Sequence, residues 1–155
     1  MNKQRRNVLK LGTVLSLAVT AGILRPEQAW AVQQEWNKAA FTATKVDEVI
    51  KAFGGDQAAQ SDKITLVAPD IAENGAVVPV GVNSDLPNTT QISILVPKNP
   101  NALAAHFDMA DGTLPEVATR IKMGGTSDVY ALVKADGKFY TVHKEIKVTL
   151  GGCGG

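Results

Sequence analysis

The sequence predicts a mainly β protein: an antiparallel β-sandwich that opens with a short amphipathic helix and closes on a flexible, glycine-rich C-terminal arm. Three observations support this. Six or seven short apolar or alternating runs recur at fairly even spacing after Ser61, turn residues punctuate them, and no crossover helix lies between them. Consecutive strands without crossovers pair antiparallel.

Residues 1–31 carry the features of a twin-arginine export signal. Arg5-Arg6 precede a mildly apolar run over residues 11–23, diluted by Gly12, Thr13, Ser16, Thr20 and Gly22, and Ala29-Trp30-Ala31 supplies small residues at cleavage spacing. The run falls short of the roughly 20 residues a membrane-spanning helix needs. Cleavage after Ala31, export of the folded chain to the periplasm and no membrane association after signal removal are therefore expected. The mature part divides into a sandwich domain over residues 32–150 and an arm over residues 151–155. One domain is what a chain of this size supports.

Loss of Lys3, Arg5, Arg6, Lys10 and Arg25 takes Lys plus Arg from 16 to 11, and loss of Glu27 takes the acids from 15 to 14. The mature chain then carries −3 where the full sequence carries +1. With no basic patch and no aromatic-basic interleaving, nucleic-acid binding is not expected.

Within the domain, Trp36, Ala39, Ala40 and Phe41 suggest a first turn or two of helix. Val46, Val49, Ile50 and Phe53 then fall at i, i+3, i+4 and i+7, with Thr44 as N-cap, Asp47 near N3 and Gly54-Gly55 as the stop. Strands follow. Ile64-Thr65-Leu66-Val67 runs up to Pro69, residues 76–82 follow the turn at Glu73-Asn74-Gly75, and residues 91–96 stop at Pro97. Residues 105–109 lead to the Asp111-Gly112 turn, and residues 116–123 to Gly124-Gly125. Residues 128–134 and a strand from Phe139 through Leu150 flank Asp136-Gly137, which has hairpin chemistry. Pro79 inside its strand predicts an edge or bulge position. The alternation Ile146-Lys147-Val148-Thr149-Leu150 makes the last strand half buried and delivers the chain straight into the arm.

The arm carries the chain's only cysteine, in the run Gly151-Gly152-Cys153-Gly154-Gly155. Residues without Cβ on both sides leave the thiol unshielded and add no bulk to obstruct a narrow channel. An unpaired thiol sent to an oxidising compartment is exposed to mixed-disulfide chemistry, so its presence needs a reason. No helix N-terminus, histidine or clustered cation stands near it in sequence, so it has the character of a handle for other enzymes, and no catalytic residue and no enzymatic activity are expected. Two alternatives stay open. A structural binding module could use Cys153 for an intermolecular disulfide, or the terminal Gly154-Gly155 could serve a ubiquitin-like thiocarboxylate carrier, although that chemistry needs ATP.

Other chemistry-bearing residues give weaker signals. His106 and His143 are far apart with no ligand spacing, Asp108 and Asp111 lack the remaining acids of a calcium loop, and Gly124-Gly125 has no phosphate-binding fingerprint around it. No metal site and no cofactor are expected. The turn Glu73, Asn74, Gly75 and the apolar positions Val77 and Pro79 are the expected partner interface, since an apolar edge strand invites coverage by another chain.

The terminal pentapeptide, the twin-arginine signal and the phrases Ala68-Pro69-Asp70-Ile71-Ala72-Glu73-Asn74-Gly75 and Val77-Val78-Pro79-Val80 together resemble the SoxY family of periplasmic thiosulfate-oxidation proteins. The resemblance implies an immunoglobulin-like sandwich and a heterodimer with a SoxZ-like subunit. It implies that Cys153 is conjugated to thiosulfate by a haem c-type enzyme, giving a cysteine S-thiosulfonate. It further implies that a sulfate-releasing hydrolase and a sulfane-oxidising enzyme then act on the bound sulfur. Gly151, Gly152, Gly154 and Gly155 would form the swinging arm.

Overall fold

The computed structural model describes residues 37–151. The expected signal at residues 1–31 and four of the five arm positions, Gly152, Cys153, Gly154 and Gly155, lie outside the described residues.

Two short helices come first, α1 (Lys38–Thr42) and α2 (Val46–Ala52). The Asn37 side chain caps α1 by accepting from the Ala40 N–H at 3.1 Å, and it ties the two helices together by donating to the Ala52 carbonyl at 2.8 Å. The N-cap of α2 is Lys45, one residue later than the Thr44 expected from sequence. The reason is Glu48, whose carboxylate turns back to accept from the N–H groups of Thr44 and Lys45 and from the Thr44 hydroxyl. This one-sided cap, made by Glu48 alone, lets a residue with no capping side chain start the helix. Those donors, the Thr44 N–H first, hold the Glu48 carboxyl below its ordinary value. Gly54, with φ of +82°, ends α2 as expected.

Nine strands follow: β1 (Ala58–Gln60), β2 (Ile64–Val67), β3 (Ile71–Ala72), β4 (Val78–Ser84), β5 (Thr89–Leu95), β6 (Leu103–Asp108), β7 (Glu116–Ile121), β8 (Ser127–Ala135) and β9 (Lys138–Val148). They form an immunoglobulin-like sandwich of two sheets. The larger has the order β1-β9-β8-β5-β6 with β3 also on the edge of β9, and the smaller has the order β2-β4-β7. The long ladders are antiparallel, while β1 and β3 run parallel to β9.

Between the sheets lies the main core, with Val78, Val80, Val82, Ile92, Ile94, Val129, Ala131, Val133 and Ile146 all buried. Alternation accounts for it: in β4 the even positions from Val78 to Ser84 face inward and the odd ones outward. A second cluster fills the other face of the large sheet, where Val49 and Ile50 of α2 meet Leu95, Leu103, Leu132 and Phe139. The Asp136-Gly137 turn joins β8 to β9 with both residues at positive φ, +49° and +73°, the geometry of a two-residue hairpin whose twist matches its strands.

Pro79 sits in the middle strand of the small sheet, at a position where that strand is locally an edge. It pairs with Arg120 of β7, while β2 reaches only as far as Gly81, opposite Val67. At Pro79 the strand therefore has no neighbour on its β2 side, and the missing N–H leaves no ladder bond unmade.

Candidate functional site

The candidate site is the place where the chain leaves the last strand, ahead of Cys153 in sequence. β9 ends at Val148, and Thr149, Leu150 and Gly151 leave the sheet along a route held on two sides.

The first side is the segment between β3 and β4. β3 pairs with the end of β9 at Ile71↔Lys147 and Ala72↔Val148. Beyond it, the Ala72 carbonyl accepts from the Thr149 N–H at 3.1 Å and the Glu73 carbonyl from the Thr149 hydroxyl at 2.9 Å. Gly75 is buried and its N–H donates to the Leu150 carbonyl at 2.7 Å. Asn74 turns the chain there, its side-chain oxygen accepting from the Ala76 N–H at 2.9 Å, an Asx turn.

The second side is the loop between β7 and β8. The Thr126 hydroxyl accepts from the Val148 N–H at 3.0 Å, and the Gly75 carbonyl accepts from the Met123 N–H at 2.7 Å, so Gly75 bonds to both the exit and this loop. Asn99 braces the loop by donating to the Lys122 carbonyl at 2.8 Å and accepting from the Gly124 N–H at 2.9 Å. Gly151 lies flush on it, since a Cβ there would stand 2.5 Å from the Gly124 carbonyl oxygen.

Among the described residues, four of the five exposed large apolar side chains belong to this neighbourhood by sequence or hydrogen bonding. They are Val67 (64% exposed), Ile71 (58%), Val77 (53%) and Leu150 (65%). Val67 and Pro79 also line an open, mostly apolar groove together with Pro69, Gly81, Ala118 and Arg120. On the flank, Lys144 donates to the Ala68 carbonyl at 2.7 Å and pairs with Asp70 at 2.8 Å. That hydrogen bond to Asp70, reinforced by the lysine's charge, holds the Asp70 carboxyl below its ordinary value.

Of the residues singled out from sequence, Glu73 and Gly75 thus bond to the chain leaving β9 and Asn74 turns the segment between them, Gly75 facing inward and the other two exposed. Val77 and Pro79 point outward. The braces Asn99, Gly124 and Thr126 were not singled out as site residues. Gly124-Gly125 gave only a turn signal, and nothing in the sequence marks Thr126.

The histidines occupy separate strands. His106 is half buried, with Nδ1 2.8 Å from the Ser93 hydroxyl and its ring stacked on Phe53 at 4.5 Å, which pins the end of α2 to the sheet. His143 stacks on Tyr130 at 5.0 Å. Asp108 receives Gln91 Nε2 at 3.1 Å and lies 3.4 Å from His106 Nε2. Among the described residues no group of three or more His, Cys, Asp or Glu is placed to hold a metal ion, and no helix is long and apolar enough to cross a membrane.

The fold and its braced exit define a β-sandwich module of immunoglobulin type that presents the end of its last strand. The family model described as sulfur oxidation protein SoxY matches residues 50–153, a span that ends on Cys153. The chain belongs to the SoxY family of sulfur oxidation proteins. Among solved structures, the sulfur carrier protein SoxY from Chlorobium limicola f thiosulfatophilum is similar at 42% identity and a TM-score of 0.62, over 69% of this chain and 98% of that one. A superoxide reductase (neelaredoxin) from Ignicoccus hospitalis is 19% identical with a TM-score of 0.50, over 58% of this chain and 82% of its own, a likeness of fold alone. No curated protein matches the chain.

Proposed function

We propose that this protein is a covalent carrier in sulfur oxidation, with Cys153 as the attachment point and Gly151, Gly152, Gly154 and Gly155 as its arm. The observation that carries the reading is the family match over residues 50–153, joined to a 42% identical neighbour that is itself a sulfur carrier. The braced exit supports it, because a handle worked on by other enzymes needs a firm mounting.

In the loading step a bond forms between the Cys153 sulfur and the outer sulfur of thiosulfate. The thiol proton is released and two electrons pass to the haem c-type conjugating enzyme. A hydrolase then adds water across the bond to the sulfonate group, releasing sulfate and two protons and leaving a persulfide on Cys153. A sulfane-oxidising enzyme acts on that remaining sulfur. Tethering keeps each intermediate at high effective concentration near successive active sites. The chain itself supplies neither catalytic group nor cofactor.

A SoxZ-like subunit would cover the apolar surface of Val67, Val77 and Pro79 next to the turn at Glu73, Asn74 and Gly75, and the pair would work in the periplasm after twin-arginine export and cleavage after Ala31. Intact mass after gentle, non-reducing purification tests the reading. Reductant-sensitive sulfur adducts mapped to Cys153 are expected. A locked disulfide dimer, or a modified terminal carboxylate, would refute it.

A further inference from the structure

We propose that Gly75 and Gly124 form a fixed seat for Leu150 and Gly151, so that the carrier arm pivots beyond Gly151 and Gly151 acts as a positioning residue. The inference deepens the carrier reading and rests on it.

Three observations converge on this seat. The Leu150 carbonyl is held by the Gly75 N–H at 2.7 Å, and Gly75 is itself held by Met123 at 2.7 Å. Gly151 approaches Gly124 so closely that a Cβ would sit 2.5 Å from its carbonyl oxygen and 3.4 Å from its carbonyl carbon. Gly124 cannot easily give way, because Asn99 holds its N–H at 2.9 Å and the nearby Lys122 carbonyl at 2.8 Å. The atom that would be struck is backbone, with no flexible side chain to swing aside. Gly151 is therefore required for close approach, a role different from the freedom expected of a tether glycine.

A consequence for reach follows. Gly152 alone separates the seat from the carrier, so over two residue steps the Cys153 Cα can lie at most about 7 Å from the Gly151 Cα. A partner's active centre must then open within on the order of 10 Å of the surface that meets Gly124. Enzymes acting on the thiol would close upon the rim formed by Gly124 and the exposed Leu150.

The test compares Gly151→Ala with Gly125→Ala in the full mature chain paired with its SoxZ-like subunit. The second variant is the control, since a Cβ at Gly125 meets nothing within 4 Å. Amide exchange at Gly75, whose acceptor is Leu150, is expected to quicken about ten-fold or more in Gly151→Ala and to stay unchanged in Gly125→Ala. Alkylation of Cys153 by iodoacetamide should remain within about two-fold in both. Loading by the haem c-type enzyme with thiosulfate should lose about ten-fold in kcat/KM in Gly151→Ala, chiefly through KM, the factor expected for ordering one more residue on entry. Unchanged Gly75 exchange in Gly151→Ala overturns the seat. Faster exchange with unchanged kcat/KM overturns the positioning role. Failure of the carrier reading appears separately, as a wild-type chain that gains no thiosulfate mass at Cys153, and the positioning role then falls with it while the exchange result still decides whether the seat exists.

Discussion

Replacing Asn99 by alanine should loosen the arm's mounting without touching the arm. The side chain makes two hydrogen bonds, to the Lys122 carbonyl at 2.8 Å and from the Gly124 N–H at 2.9 Å. A typical net contribution is about 0.5–1.5 kcal/mol per bond, so the loss should be on the order of 1–2 kcal/mol, the lower part of the range because water can reach the vacated groups. With a urea dependence of roughly 1–3 kcal/mol/M for a domain of this size, the unfolding midpoint should fall by about 0.5–1 M with an unchanged slope. Asn99→Asp separates the two bonds, because it keeps the acceptor for Gly124 and sets a carboxylate against the Lys122 carbonyl. It should be no more stable than Asn99→Ala. Urea unfolding followed by far-UV circular dichroism reads both variants. An Asn99→Ala midpoint within error of wild type would refute the idea that this side chain braces the loop under Gly151.

Three further outcomes are expected. Cys153→Ser should leave the stability unchanged within about 0.5 kcal/mol while abolishing sulfur loading by intact mass; marked destabilisation would show that the residue is part of the core. Ile92→Ala, at a fully buried position between the sheets, should cost about 2–5 kcal/mol in the same unfolding assay. Asp70 and Glu48 have carboxyls held below their ordinary values of 3.8 and 4.5, by Lys144 and by the Thr44 N–H respectively, so their contribution is present above those values and disappears as pH falls through the lower folded ones. Midpoints measured across the acid range should therefore decline as pH drops below those values, and Lys144→Met should flatten the part due to Asp70; an identical profile in that variant would count against the pairing.

Local chemistry made much of the fold legible. The amphipathic spacing of Val46, Val49, Ile50 and Phe53, the Asp136-Gly137 hairpin and the alternation at the end of β9 are short-range signals, and each element formed there, although β9 stops at Val148 where the expected strand ran through Leu150. What escaped depends on distant partners. β1 and β3 span three and two residues, and they exist because the edge of β9 accepts them in parallel, a pairing no run of residues announces. Thr44 has the better capping side chain, yet Glu48 reaching back shifted the start of α2 to Lys45. At the site, Gly75 was visible as part of a turn, whereas its bonds to Leu150 and Met123 join segments far apart in the chain. Gly151 looked like slack; only the proximity of Gly124 reveals it as a point of contact.

The ladder behind the exit also bears on mechanical load. β9 pairs with β8 through nine consecutive register positions, Ser127↔Ile146 to Ala135↔Lys138, and antiparallel hydrogen bonds lie across the strand direction. Under the proposed carrier function, a pull on Cys153 passed along β9 would be shared in shear by many bonds at once and would not peel them one by one. A carrier mounted in this way would enter a tight cleft, and leave it, without unravelling β9.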